Sequence, residues 1–136
     1  MKKKILAVDD DPYILKIAVA VLGCDYEVLT ADNGKDAVAL AKVHSPAVIL
    51  LDINMPVMDG LEVLGALAPL PHGMSVVMLT SETDLALVTK ALGLGASEYV
   101  TKPFDPAALR RLVNSRLPVE GECGEEGGDL PWKVKE

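Results

Sequence analysis

Short apolar runs alternate along this chain with longer segments in which apolar residues recur every three or four positions. The runs "KILAV" (4–8), "YEVLT" (26–30), "AVILL" (47–51), "SVVMLT" (75–80) and "SEYVT" (97–101) predict strands. The segments 11–23, 32–44, 61–68, 81–95 and 105–117 predict helices. Their ends carry matching punctuation. Asp11 and Asp105 each precede a proline suited to a first helical position, and Gly23 lies just past the first helix. Ser81 or Thr83 is placed to cap the fourth helix, and glycines close it.

Five strand–helix units in strict alternation predict an α/β fold: a doubly wound, five-stranded parallel sheet with five helices covering both faces. Five such units fit the flavodoxin-like strand order 2-1-3-4-5. The run 47–51 shows no polar alternation, as expected of a strand buried on both faces.

Composition narrows the picture. The chain has 136 residues, a length for one domain. Half the residues are hydrophobic but only 4% aromatic, so the core must be aliphatic, with Met55, Met58, Met74 and Met78 as packing residues. The net charge of −7 argues against nucleic acid or an anionic membrane as partner. No apolar run is long enough to span a membrane, and the one near the start is too short for a signal peptide. Cys24 and Cys123 match no metal spacing and make a poor disulfide framework, with Cys24 read as a buried packing residue. That usage fits a reducing cytoplasm. At Pro118 the composition changes. Residues 1–117 read as the domain, and 118–136 as a flexible, Gly-rich tail with six acids and two bases. Trp132, in "LPWKV", is the tail residue suited to docking.

All carboxyl ends of a parallel sheet lie on one edge, where ligands bind at the reversal of strand order. Here that edge would collect Asp9 and Asp10 after strand 1, Asp52 after strand 3, Thr80 at the end of strand 4 and Lys102 after strand 5. Three clustered carboxylates repel one another, and a cation resolves the repulsion. Oxygen donors at an open, wet site suit Mg²⁺. A lysine and a hydroxyl beside such a site form a clamp for a phosphoryl group, and a carboxylate can accept that group covalently.

The stretches "ILAVDDDP" (5–12), "VILLDINMPVMDG" (48–60), "VVMLTSE" (76–82) and "GASEYVTKPF" (95–104) together resemble a response-regulator receiver domain of two-component signalling, of the single-domain chemotaxis type. The resemblance covers residues 1–117. It implies that Asp52 accepts a phosphoryl group from a histidine kinase or a histidine phosphotransfer protein. It implies a Mg²⁺ site in which Asp10 is a direct ligand, Asp9 helps through water and Asn54 offers its backbone carbonyl beside Asp52. It implies that Thr80 and Lys102 engage the phosphoryl oxygens and that Tyr99 is a switch aromatic following Thr80. Pro103 would follow a cis peptide bond, and Asn54 and Glu82 would tune the phosphoryl lifetime. Output would pass through the face of helix 4, strand 5 and helix 5 to a partner protein, with Lys90, Glu98, Arg110 and Arg111 as contact candidates. The species would be a monomer or a phosphorylation-dependent dimer.

Simpler readings exist for each residue. Asp11 serves as a helix cap, but a cap needs one acid, which leaves Asp9 and Asp10 over. Asp52 alone could be a turn residue, and Thr80 a β-branched strand residue. Asp59 and Gly60 read as a turn that starts the third helix. Two rival functions are a phosphohydrolase working through an aspartyl phosphate and a binding module that keeps only the fold. The first wants an acid two residues after the nucleophile, where Asn54 stands. The second would show loss of an acid or of the lysine, and none is lost. Nineteen residues after Leu117 hold no helix-turn-helix module, so output by protein contact is expected.

Overall fold

The computed structural model describes residues 3–53, 55, 58–68, 74–81, 85–102 and 105–116. Its elements run β1 (Lys4–Val8), α1 (Pro12–Leu22), β2 (Glu27–Ala31), α2 (Gly34–His44), β3 (Val48–Asp52), α3 (Gly60–Leu67), β4 (Ser75–Ser81), α4 (Leu85–Gly93), β5 (Glu98–Lys102) and α5 (Pro106–Arg116). The five strands are parallel in the order β2-β1-β3-β4-β5, as the alternation predicts.

Period-2 alternation divides each central strand between two apolar layers. Leu6, Val8, Ile49, Leu51, Val76 and Met78 face one way, into a core completed by Ala37 and Ala41 of α2, Val63 and Leu64 of α3 and Val88 and Ala91 of α4. Ile5, Ala7, Val48, Leu50, Val77 and Leu79 face the other way, onto Ala18, Val21 and Leu22 of α1 and Leu109 and Val113 of α5. All five β3 residues are therefore buried. Truncating one of its leucines, such as Leu50→Ala, costs about 2–5 kcal/mol. The core is aliphatic as expected, and Met55 and Met78 are buried within it, with Met58 and Met74 packed at its edge.

Helix starts follow the sequence signals. Asp11 caps α1 by accepting from the Tyr13 N–H, with Pro12 at the first helical position. Asp105 repeats this at α5, accepting from the Ala107 N–H at 3.1 Å. Asn33 caps α2, and Asp59 forms a reciprocal capping box with Glu62 at α3. Gly95, at φ 116°, follows α4 in the left-handed region that glycine permits.

Three expectations differ. Ser81 is the last residue of β4, since the strand continues one residue past Thr80, and α4 starts only at Leu85; Thr83 lies outside the described residues. β2, β3 and β5 each begin and end one residue later than the apolar runs. Cys24 is neither buried nor free: it is exposed in the turn after α1 and disulfide-bonded. The apolar pattern that packs Val21 and Leu22 ends with the helix, so the next thiol faces water. Asn54, Glu82, Pro103, Trp132 and the whole segment 118–136 lie outside the described residues.

Candidate functional site

Parallel register brings the strand ends level. Val8 of β1 pairs with Leu51 of β3, so the next residue on each strand sets Asp9 beside Asp52. Asp52 pairs with Leu79 on β4, which places Thr80 one step further out. Thr80 pairs with Thr101 and Ser81 with Lys102, so β5 delivers the lysine to the same edge. Between β1 and β3 the chain reverses direction across the sheet, which is where such folds hold ligands. Asp9, Asp52 and Thr80 are buried at 0%, 3% and 1% exposure, whereas Asp10 is exposed.

Local chemistry orients each carboxylate. Asp9 Oδ1 accepts from the Asp11 N–H at 2.9 Å. That bond turns Asp9 Oδ2 toward Lys102, whose Nζ lies 2.7 Å away. Apart from this ammonium the buried oxygen has no partner among the described residues. Lys102 Nζ is also 3.2 Å from Asp52 Oδ1, so one cation bridges two buried acids. Burial alone would push the Lys102 ammonium down. The hydrogen bond to Asp9 and the charges of Asp52 and Asp9 outweigh it, and its pKa stands above the usual lysine value.

Asp52 is held from behind by backbone. The Ile53 N–H donates to Leu79 O at 3.1 Å, and the Gly60 N–H to Ile53 O at 2.9 Å. A Cβ at Gly60 would stand 2.3 Å from the Asp52 carbonyl oxygen and 2.8 Å from Ile53 Cα. Glycine is therefore the residue that lets α3 start directly against the acid-bearing strand. The sequence reading of Asp59 and Gly60 as a turn into the helix stands, but the close approach to Asp52 was not legible from it.

One oxygen from each of Asp9, Asp10 and Asp52 lies within 4.8 Å of the others. Lys102 supplies one positive charge to this group, which leaves two negative charges uncompensated. The donors are all carboxylate oxygens, with no His or Cys among them. An acidic, oxygen-only group with an under-partnered buried oxygen fits a hard divalent cation such as Mg²⁺. The Asn54 carbonyl expected to join it lies outside the described residues.

The remaining candidates separate. Tyr99 points outward from the edge strand β5 at 43% exposure. Lys90 and Arg111 are exposed. Glu98 pairs with Arg116 at 2.9 Å. Arg110 is committed elsewhere: its Nη2 lies 2.6 Å from Oδ2 of Asp25, a pairing across the α1–β2 turn that sequence position did not reveal.

A family model described as the response regulator receiver domain matches residues 5–114. The chain is 36% identical over 118 residues to the DNA-binding response regulator MtrA of Mycolicibacterium smegmatis, covering 86% of this chain and 51% of that protein. It is 37% identical over 118 residues to the alkaline phosphatase synthesis transcriptional regulatory protein PhoP of Bacillus subtilis, covering 86% and 48%. The chain thus spans about half the length of these curated relatives. Among solved structures, the chemotaxis protein CheY4 of Vibrio cholerae superposes with a TM-score of 0.79 at 34% identity, covering 86% of this chain and all of that one. A CheY-like receiver domain protein of Methanospirillum hungatei gives 0.80 at 32% identity, covering 86% and 94%.

Proposed function

The chain belongs to the response-regulator receiver family of two-component systems, and from that premise we propose that it is a signalling switch set by phosphorylation of Asp52. The observation that carries this reading is the geometry around that residue. Asp52 ends a fully buried strand, shares its edge with Asp9 and Asp10, and has an ammonium 3.2 Å from Oδ1.

The donor is a phosphohistidine on a sensor histidine kinase or histidine phosphotransfer protein. An Asp52 carboxylate oxygen attacks phosphorus in line; the O–P bond forms as the donor's N–P bond breaks. Asp9, Asp10 and Asp52, with the Asn54 carbonyl, would hold Mg²⁺, which when bound neutralises charge on the acceptor and the transferring group. Lys102 shifts its ammonium from the Asp9–Asp52 pair toward the new phosphoryl oxygens, and the Thr80 hydroxyl donates to another. Phosphorylation adds about −1.5 to −2 charge at a buried strand end, enough to bias a two-state loop. Tyr99 follows Thr80 inward, and the face of α4, β5 and α5 changes shape.

The protein assists its own phosphorylation and hydrolysis and acts on no separate substrate. Output passes by protein contact, from a monomer or a phosphorylation-dependent dimer, in the cytoplasm. DNA binding is named for the longer relatives; no nucleic-acid contact is proposed for this acidic chain. Among the described residues no helix is long and apolar enough to cross a membrane.

The test is incubation with acetyl phosphate, with and without Mg²⁺, read by intact mass. Wild type gains one phosphoryl group only with Mg²⁺, and Asp52→Asn gains none. Equal labelling of both proteins would falsify the assignment.

A further inference from the structure

Gly34 opens α2, an element that takes no part in the chemistry above. It is buried, and its backbone is helical rather than left-handed. Conformation therefore does not call for glycine there, and helices prefer alanine. The neighbouring space does call for it. A Cβ at Gly34 would stand 2.8 Å from the Met58 carbonyl oxygen and 2.9 Å from both Met58 Cβ and Met58 Cγ. Met58 lies on the connection between β3 and α3, packed at the edge of the core.

Neither side has room to retreat. Asn33 fixes the start of α2: its Oδ1 accepts from the Asp36 N–H at 2.8 Å, and its Nδ2 donates to Asp32 and Asp36. Ala37 and Ala41, at 0% and 2% exposure, seat the same helix in the core. Directly after Met58, Asp59 is locked in its capping box, exchanging bonds of 2.9 Å with Glu62. Gly60 follows, with its N–H on Ile53 O at 2.9 Å and no space for a Cβ against the Asp52 carbonyl. Met58 is thus gripped between two capped helix starts, and only Asp59 separates it from the glycine that abuts the acceptor strand.

We propose that Gly34 is a positioning residue for phosphorylation of Asp52: by leaving Met58 a seat against α2, it sets how closely the start of α3 abuts the acceptor. The proposal rests on Asp52 being the acceptor, and it brings α2 into the support of the site. With a Cβ at Gly34, restoring an ordinary contact of 3.4 Å from 2.9 Å takes a shift of about 0.5 Å in Met58. Asp59 and Gly60 carry that shift to the backbone behind Asp52. In-line attack is sensitive on this scale, since misplacement by about 1 Å can cost on the order of a hundredfold in rate.

The test follows phosphorylation of the full chain by acetyl phosphate with Mg²⁺, read by intact mass up to saturating phosphodonor, beside urea midpoints that give the folded fraction. Gly34→Ala is expected to lower the maximal rate per folded molecule about tenfold and to leave the half-saturating acetyl phosphate concentration within about twofold. Met58→Gly removes two of the three opposing atoms and lets the third, the carbonyl oxygen, turn away. In that background Gly34→Ala is expected to cost less than about threefold, so the two substitutions couple. Gly65→Ala, exposed on α3 with nothing within 4 Å of its Cβ, keeps the wild-type rate.

A wild-type maximal rate in folded Gly34→Ala, with Asp52→Asn unlabelled, overturns the positioning role and leaves the acceptor assignment standing. An equal loss with and without Met58→Gly overturns it as well. Where Gly34→Ala alone does not fold, the double variant must fold and label within about threefold of Met58→Gly; a double variant that stays unfolded overturns the proposal. Labelling of Asp52→Asn equal to wild type overturns the acceptor assignment and this proposal together.

Discussion

Lys102 Nζ lies closer to Asp9 than to Asp52, 2.7 Å against 3.2 Å. The lysine is thus the counterion of the acid cluster, and only secondarily a neighbour of the acceptor. Its removal leaves two buried carboxylates facing each other without a cation. Breaking a fully buried pair costs about 3–5 kcal/mol. The Lys102 side chain is 24% exposed, so Lys102→Met is expected to cost roughly 2–3 kcal/mol by urea denaturation at neutral pH. Millimolar Mg²⁺ should recover part of that loss, because a ligand of the folded acid cluster stabilises it by mass action. An identical loss with and without Mg²⁺ would contradict the shared charge balance.

Asp10 should respond with the opposite sign. It is exposed, no ion pair is formed by it among the described residues, and it stands within 4.8 Å of two other carboxylates. At that separation, repulsion screened as in water is about 1 kcal/mol per neighbour. Asp10→Asn is expected to raise the melting temperature by a few degrees in chelator-treated buffer. It should also flatten the Mg²⁺-dependent rise expected of wild type. A variant less stable than wild type in chelator would argue against the crowded-acid reading.

Two glycines of α3 give a matched pair. Gly60 has backbone of Asp52 and Ile53 inside the space of a Cβ, whereas nothing lies within 4 Å of one at Gly65. Gly65→Ala should stabilise by about 0.5–1 kcal/mol through helix propensity alone. Gly60→Ala should destabilise by about 1–3 kcal/mol or more, since the opposing atoms are main chain and cannot rotate away. It should also slow Asp52 phosphorylation beyond what the stability loss explains, measured under conditions where the variant remains folded. Equal behaviour of the two variants would remove Gly60 from the support of the site.

What the sequence revealed follows from which signals are local. The apolar run 47–51 stops at Asp52, and Asp11 alone suffices to cap α1, so Asp9, Asp10 and Asp52 stand out in the sequence itself. Strand alternation then placed Thr80 and Lys102 on the same edge. Half-ångström preferences are not local. Strand order says that Lys102 nears the acids, but not that Asp9 Oδ1 is taken by the Asp11 N–H, which frees Oδ2 for the ammonium. Arg110 looked like a surface residue because its partner, Asp25, lies 85 positions away. Cys24, two residues past the end of α1, reads as a packing residue from its place at a helix end, but that turn faces water.

The Tyr26–Asn114 bond ties the turn before β2 to α5 and can be read out by alkali. Tyr26 Oη donates to Asn114 Oδ1 at 2.6 Å, and the ring is 2% exposed. Burial, followed by the charge of Asp25, raises the Tyr26 pKa above its ordinary value, and Arg110 pulls it partly back. A raised phenol pKa means that the folded state keeps the proton longer than the unfolded one. The resulting stabilisation is complete below the unfolded value of about 10 and is lost as pH climbs through it toward the folded value. Tyr26→Phe deletes both the hydrogen bond and the titration, and is expected to cost about 1–2 kcal/mol at pH 7. Lys102 also loses its contribution in alkali, but equally in both proteins, so it cancels in the comparison. Urea midpoints measured from pH 7 to 11 should show a constant gap up to pH 9 and a narrowing one above pH 10. A gap that stays constant to pH 11 would mean that the phenol titrates alike in both states, and that the bond to Asn114 does not hold Tyr26 neutral.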